Sequence, residues 1–318
     1  MIKSLRRLAR TDAQPSAIDQ HLAKNLANLK NEITDAKILT AQLLVNHIKT
    51  RGIYDNIQEA EFKVFSQVGD DGIIQYLAHH LEVESHSFIE FGVENYVESN
   101  TRFLLMNNNW KGLVIDASKE NIDYIKTQDI YWKHDLTAVE AFVDRENINK
   151  IFSEYGFTGE VGLLSIDIDG NDYWIWEAIN IVNPTVVVVE YNSVFGAANA
   201  VTIPYDPTFM RTRAHHSNLY FGTSLKALCL LAARKGYSFI GSNSTGINAY
   251  FVREDRLGKL KTLTFKQGYV ESKIRESRNT DGELTYISSS QRVRTIEEMP
   301  VYDVETGQIV KLKELSSR

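Results

Sequence analysis

Ser87-Phe88-Ile89-Glu90-Phe91-Gly92-Val93-Glu94-Asn95-Tyr96 is the stretch that decides the fold. Its first five residues alternate through aromatic and β-branched side chains as a short buried strand does, and Gly92 lets the chain turn sharply behind them. Glu90 therefore stands near the strand's carboxyl end, where an open parallel sheet binds its ligands. A second apolar run, 112–115, ends in Asp116, 24 residues after Gly92. Rossmann-type folds place an acid at about this interval to hold ribose hydroxyls. A third run, 130–133, is followed by His134-Asp135, a polar pair where an adenine edge would lie. A nicotinamide dinucleotide needs a pyrophosphate cradle, but GxGxxG is absent and Glu94 sits where phosphates require open amides. A phosphate-free nucleoside is the ligand these residues favour.

Working outward, further strand-like runs lie at 162–168, 185–190, 238–241 and 249–252. Helical spacing recurs between strands at 98–107, 119–126, 139–155, 173–178 and 223–235. This alternation predicts an α/β fold, a mostly parallel Rossmann-like sheet of about seven strands with helices on both faces. Residues 1–60 read as an N-terminal helical extension, 61–256 as the catalytic domain and 257–318 as a C-terminal appendage with short β-like pieces at 260–265 and 284–288. The extension holds apolar residues at helical spacing, Ile18, Leu22, Leu26, Leu29 and Ile33, then Ile38, Leu39, Leu43, Leu44 and Ile48, as one or two helices. Their faces bury either on the core or on a second copy, so a homo-oligomer is one expectation. Residues 191–222, with Gly196, Pro204 and Pro207, break the pattern as a lid or substrate loop does.

At 318 residues, 43% hydrophobic and 24% charged, the chain has the composition of an ordinary globular protein. Its net charge of −6, with basic residues dispersed, argues against nucleic acid as a partner. Cys229, the single cysteine, lies in an apolar run and reads as inert. Residues 1–10 carry basic side chains without a following apolar segment, and no transmembrane stretch occurs, so the expected location is cytoplasmic.

Several motifs recur together over residues 62–253: Phe65-Ser66-Gln67-Val68-Gly69-Asp70-Asp71-Gly72, Phe88-Ile89-Glu90-Phe91-Gly92-Val93-Glu94-Asn95, Glu98-Ser99-Asn100-Thr101-Arg102 and Trp110-Lys111-Gly112-Leu113-Val114-Ile115-Asp116. Further on come Ser165-Ile166-Asp167-Ile168-Asp169-Gly170-Asn171-Asp172, Tyr220-Phe221-Gly222-Thr223-Ser224-Leu225 and Gly246-Ile247-Asn248-Ala249-Tyr250-Phe251. In this combination the chain resembles the FkbM-like family of class I S-adenosylmethionine-dependent methyltransferases. The resemblance implies a class I methyltransferase sheet, S-adenosylmethionine as methyl donor, and O-methylation of a sugar or small-molecule hydroxyl. It implies that Glu90 and Gly92 hold the methionine end of the donor, Asp116 its ribose and Asp135 its adenine amine, while Gln67 and Gly69 close over it. This chain departs from the family in keeping only Gly92 of the usual glycines after the first strand. A non-catalytic module that kept the fold for binding or assembly is the alternative.

Methylating an alcohol requires removal of a proton whose pKa is far above neutrality, so a base or a metal must stand beside the acceptor. The fourth strand ends in Asp167-Ile168-Asp169 and the fifth in Glu190-Tyr191-Asn192. Period two puts Asp167 with Asp169, and Glu190 with Asn192, on common sides. Asp167, Glu190 and Asn192 thus read as hard oxygen ligands for a divalent cation such as Mg or Mn, with Asp167 and Asp169 as catalytic acids. The bland reading makes 169–172 a turn and helix cap. In the insertion, His215 is a candidate general base, against the alternative of a solvated ring. Tyr205, Phe209, Tyr220 and Phe221 would stack on the acceptor or pack the lid.

Overall fold

The computed structural model describes residues 17–315. These divide at Leu43/Leu44 into two compact units. Of the one or two helices expected at the start, the structure has one, Ala17–Arg51. In the first unit it leaves Leu22, Leu26, Leu29 and Ile33 exposed. The basic start at 1–10 lies outside the described residues.

The second unit is built on β1 (Ser87–Phe91), β2 (Lys111–Asp116), β3 (Leu136–Glu140), β4 (Gly159–Ile166), β5 (Val182–Glu190), β6 (Val201–Thr202), β7 (Tyr237–Ser242), β8 (Asn248–Arg253), β9 (Pro300–Asp303) and β10 (Gln308–Lys311). Seven of them form one sheet in the order β3-β2-β1-β4-β5-β8-β7. The first five run parallel, and β8 is antiparallel to both β5 and β7. This is the mostly parallel α/β Rossmann-like sheet expected, with strand order reversing between β1 and β4. Four consecutive valines, Val186 to Val189, fill the middle of β5, and all are buried. Such a run suits a strand covered on both faces. Alternation divides it: Val187 and Val189 pack with Phe91 and Ile166 on one face, while Val186 and Val188 pack with Phe88 and Leu163 on the other.

The third strand is not where the sequence suggested. Residues Asp129–Lys133 form a helix, in which Trp132 is 73% exposed. The strand beside β2 is Leu136–Glu140, because Leu136, Ala138 and Val139 supply side chains buried against both layers. The helix expected over 139–155 accordingly shrinks to Ile148–Glu154. An additional helix, Asp70–His80, precedes β1.

The insertion and the C-terminal stretch are joined. β6 from the insertion pairs with β9, and β9 with β10, giving a second sheet in the order β10-β9-β6. The pieces at 260–265 and 284–288 are not strands. Val201, Ile203, Leu219, Tyr220, Ile296 and Val301 make a separate core beneath this layer. Pairing satisfies backbone groups that a free loop would leave to water. Among the described residues no helix is long and apolar enough to cross a membrane.

Candidate active site

Register sets the site. The pairs Phe91↔Ile115, Ile115↔Val139, Phe91↔Ile166 and Ile166↔Val189 place the next residues, Gly92, Asp116, Glu140, Asp167 and Glu190, in one row along the carboxyl rim. A cleft of about 430 Å³ opens above it at the β1/β4 reversal. Gly92 has φ +77°, and a Cβ there would lie 1.6 Å from the carbonyl oxygen of Asp167. The two turns touch, so only glycine fits.

Glu90 borders the cleft, but its carboxylate accepts hydrogen bonds from Ser99 Oγ, the Asn100 and Thr101 amides and Thr101 Oγ1. Burial pushes its pKa up, and these donors partly offset that. Glu90 thus fastens the 99–101 loop over the cleft, with Oε1 taking one bond and Oε2 three. Asp116 accepts from the Glu94 amide at 2.7 Å, the Ser118 amide at 2.8 Å and Asn121 Nδ2 at 3.1 Å. It ties the turn after β1 to the end of β2. Ile115, Ala141, Phe142 and Val143 supply an apolar wall of the cleft.

Gln67 also lines the cleft. It is positioned by Asp71, whose Oδ2 accepts the amides of Val64, Phe65 and Ser66 and the Ser66 hydroxyl, all at 2.7 to 2.8 Å. Gly69, expected beside the donor, faces elsewhere: a Cβ on it would meet Glu61 Cβ at 2.7 Å, and it caps the helix Asp70–His80 outside the cleft wall. Asp135 needs a larger correction. With β3 starting at Leu136 and paired to Gly112, Asp135 lies on the opposite rim of the sheet from Asp116, out of reach of the cleft.

Asp167, Asp169 and Glu190 converge, each offering an oxygen within 4.8 Å of the others. Burial, then the charges of Asp169 and Asp172, push the Asp167 carboxyl well above its usual range. Burial and the repulsion of Asp167 do the same to Glu190. Each of these two carboxyls therefore raises the cost of ionising the other. Glu190 Oε2 is buried without a hydrogen-bond partner, which suits a cation or a donor hydroxyl from a substrate. Asp169 adopts φ +54°. Asp172 holds this turn by accepting the Ile168 and Gly170 amides at 2.9 and 3.0 Å, and burial raises its pKa to about 6.

Asn192 does not join the cluster. β5 stops at Glu190, and the Asn192 side chain caps the next turn, accepting the Val194 amide and donating to the Leu219 and Phe221 carbonyls. Asp169 takes its place. His215 is also displaced: it borders neither this cleft nor the adjoining cavity, and its Nδ1 bonds Ser217 Oγ at 2.8 Å. Of the four aromatics, Phe209 lines the cleft, Phe221 the adjoining cavity, Tyr220 is tied to the Pro300 carbonyl and Tyr205 to Glu146.

Arg211 is the residue that sequence reasoning missed. Its Nη1 pairs with Asp169 Oδ1 at 2.6 Å, its Nη2 lies 3.6 Å from Glu276, and its guanidinium stacks 3.8 Å from the Phe221 ring centre. Burial opposes its charge, but Asp169 and Glu190 outweigh that and raise its pKa. Its signal in the sequence was slight, an arginine beside Arg213 and the two histidines in the insertion.

No known protein family and no curated protein sequence matches the chain. Solved structures similar to it include the N-terminal domain of EvdMO1 with S-adenosylhomocysteine bound, at 10% identity and TM-score 0.40, covering 70% of this chain and 94% of that one. A SAM dependent methyltransferase from Aquifex aeolicus is similar at 9% identity and TM-score 0.36, covering 62% and 96%. M. capricolum TrmK in complex with S-adenosylhomocysteine is similar at 11% identity and TM-score 0.32, covering 56% of this chain and 65% of that one. At these identities no residue's role transfers, and the FkbM-like resemblance stands on the quoted motifs alone.

Proposed function

We propose that this chain is an S-adenosylmethionine-dependent methyltransferase that methylates a hydroxyl oxygen of a sugar or small-molecule acceptor. The observation that carries the reading is the row Gly92, Asp116, Asp167 and Glu190 along one rim, with an apolar wall at one end of its cleft and a pair of facing carboxyls at the other. Asp116 would accept ribose hydroxyls, and Phe142 with Ile115 and Val143 would flank the base. The donor, when bound, supplies a sulfonium methyl as electrophile.

The acceptor hydroxyl would stand against Asp167 and Glu190. Whichever of the two is ionised would accept the hydroxyl hydrogen bond and take its proton as the new bond forms. A Mg or Mn ion fits Asp167, Asp169 and Glu190, whose hard oxygens include the orphaned Glu190 Oε2, and would lower the pKa of the acceptor hydroxyl. Arg211 holds Asp169 in place beside that pair.

Calorimetry with S-adenosylhomocysteine and mass-spectrometric detection of methyl transfer to a panel of hydroxylated acceptors test the proposal. Asp167→Asn is expected to abolish transfer while sparing cofactor affinity. Failure of the unmodified protein to bind S-adenosylhomocysteine overturns the reading. Full activity in EDTA removes the cation and leaves the carboxyl pair as base.

A further inference from the structure

A second cavity of about 120 Å³ adjoins the first, and Gln67, Glu190 and Arg211 border both. Its far wall comes from the C-terminal stretch: Ser272, Ile274, Glu276 and Arg292. Arg292, on the short helix Ser289–Thr295, is only 8% exposed, yet its Nε has no hydrogen-bond partner and it forms no ion pair among the described residues. The acids nearby do not pair with it: Glu276 is held by Arg211 and Arg278, and Glu271 favours its charge without forming an ion pair with it, against the opposing charges of Arg211 and Arg275. A buried cation without a partner costs free energy, and burial lowers the pKa of this guanidinium. Proteins retain such groups where a ligand completes them.

We propose that Arg292 receives an oxyanion, a carboxylate or a phosphate, carried by the acceptor, so that the substrate is an acidic hydroxy compound. This rests on the methyltransferase reading and names its substrate class. The geometry is economical: the cavity accommodates one small charged group, and its shared border with the first cleft puts Glu190 and the Asp167 pair within a short molecule's reach of that group. Guanidinium and oxyanion match in a planar, two-pronged pairing, which fixes which hydroxyl of a polyol reaches the base. The C-terminal stretch is then a recognition element for the acceptor, and its weaving with the insertion through β6 and β9 is what holds Arg292 at the site.

Calorimetry on the full chain saturated with S-adenosylhomocysteine, using D-glucuronate, D-glucose 6-phosphate and D-glucose as probes, tests this without any methyl transfer. At least one acid is expected to bind about tenfold or more tighter than glucose, and which one distinguishes carboxylate from phosphate. Arg292→Gln is expected to erase that ratio, Arg292→Lys to keep part of it, and both to bind S-adenosylhomocysteine unchanged, which shows that the fold is intact. Binding of glucose as tight as that of the acids, no binding of either acid, or an unchanged preference in Arg292→Gln overturns the inference. Failure of the methyltransferase reading appears separately, as absence of S-adenosylhomocysteine binding, and the same three probes on the cofactor-free protein still report on Arg292.

Discussion

Replacing Asp172 with Asn asks whether burying a carboxylate is the cost of the turn that carries Asp167 and Asp169. Asp172 is fully buried and accepts two amides, at 2.9 and 3.0 Å. Those hydrogen bonds favour the ionised form, burial disfavours it, and burial wins, lifting the pKa from 3.8 to about 6. A folded-state pKa above the unfolded one means that the folded protein binds the extra proton. The ionised group therefore destabilises the fold above that pKa, and the penalty fades as pH falls towards the unfolded value. A rise of about 2 units at 1.36 kcal/mol per unit sets the penalty near neutrality at about 3 kcal/mol. Asn carries no charge and lacks this slope, but has one acceptor for two amides and loses about 1 kcal/mol at every pH. Urea unfolding of both proteins in EDTA, from about pH 4 to about pH 8, isolates the effect: the stability of the unmodified protein minus that of Asp172→Asn should fall by about 2.5 kcal/mol as pH rises. A difference that stays flat, or rises with pH, refutes the reasoning, because it means the two amides keep the carboxylate ionised as an ordinary cap would.

Asp116→Ala should weaken S-adenosylhomocysteine binding by about 10- to 100-fold, because ribose loses its acceptor and the Glu94 amide its anchor; an unchanged calorimetric affinity takes Asp116 out of the pocket. Deleting residues 1–43 should convert a dimer to a monomer in sedimentation. Leu22, Leu26, Leu29 and Ile33 recur at coiled-coil spacing and lie exposed, as the seam of a parallel pair of helices would. A full-length chain that sediments as a monomer sinks this. Raising salt from about 50 to about 500 mM should weaken S-adenosylmethionine binding several-fold more than S-adenosylhomocysteine binding, since the sulfonium alone gains from the cleft's carboxylates; equal losses would show that those charges are already neutralised.

The legible parts of the fold were those in which local pattern and tertiary demand agree. β1 and the valine run of β5 needed nothing beyond their own residues to be strands buried on both faces. The third strand was misplaced because Ile130-Tyr131-Trp132 has the stronger β-propensity, whereas the register that selects Leu136-Thr137-Ala138 exists only once β2 is beside it. That single slip carried Asp135 to the wrong rim and hid Ala141, Phe142 and Val143, which follow the true strand. The acidic row was legible because residues just past parallel strands share a rim. Asn192 and His215 were not, because alternation ceases when β5 ends and the insertion's course depends on pairing with β9, far along the chain. Arg292 carried no local signal at all.

Charge divides the two cavities into distinct tasks. Among the described residues the larger cleft is lined by seven acidic side chains, Glu90, Glu94, Glu98, Asp116, Asp167, Asp169 and Glu190, with Arg211 as the one cationic side chain in its wall. Such a wall repels nucleotide phosphates and favours a sulfonium or a divalent cation. Across the border the charges even out, since Arg211 and Arg292 face Glu190 and Glu276, and Arg292 forms no ion pair among the described residues. Arg211 belongs to both walls, so its pairing with Asp169 keeps the acidic cluster from spreading its repulsion into the smaller cavity. A donor that enters positive and an acceptor that carries a negative group would each find only one end favourable, and the Asp167 and Glu190 pair lies where the two ends meet.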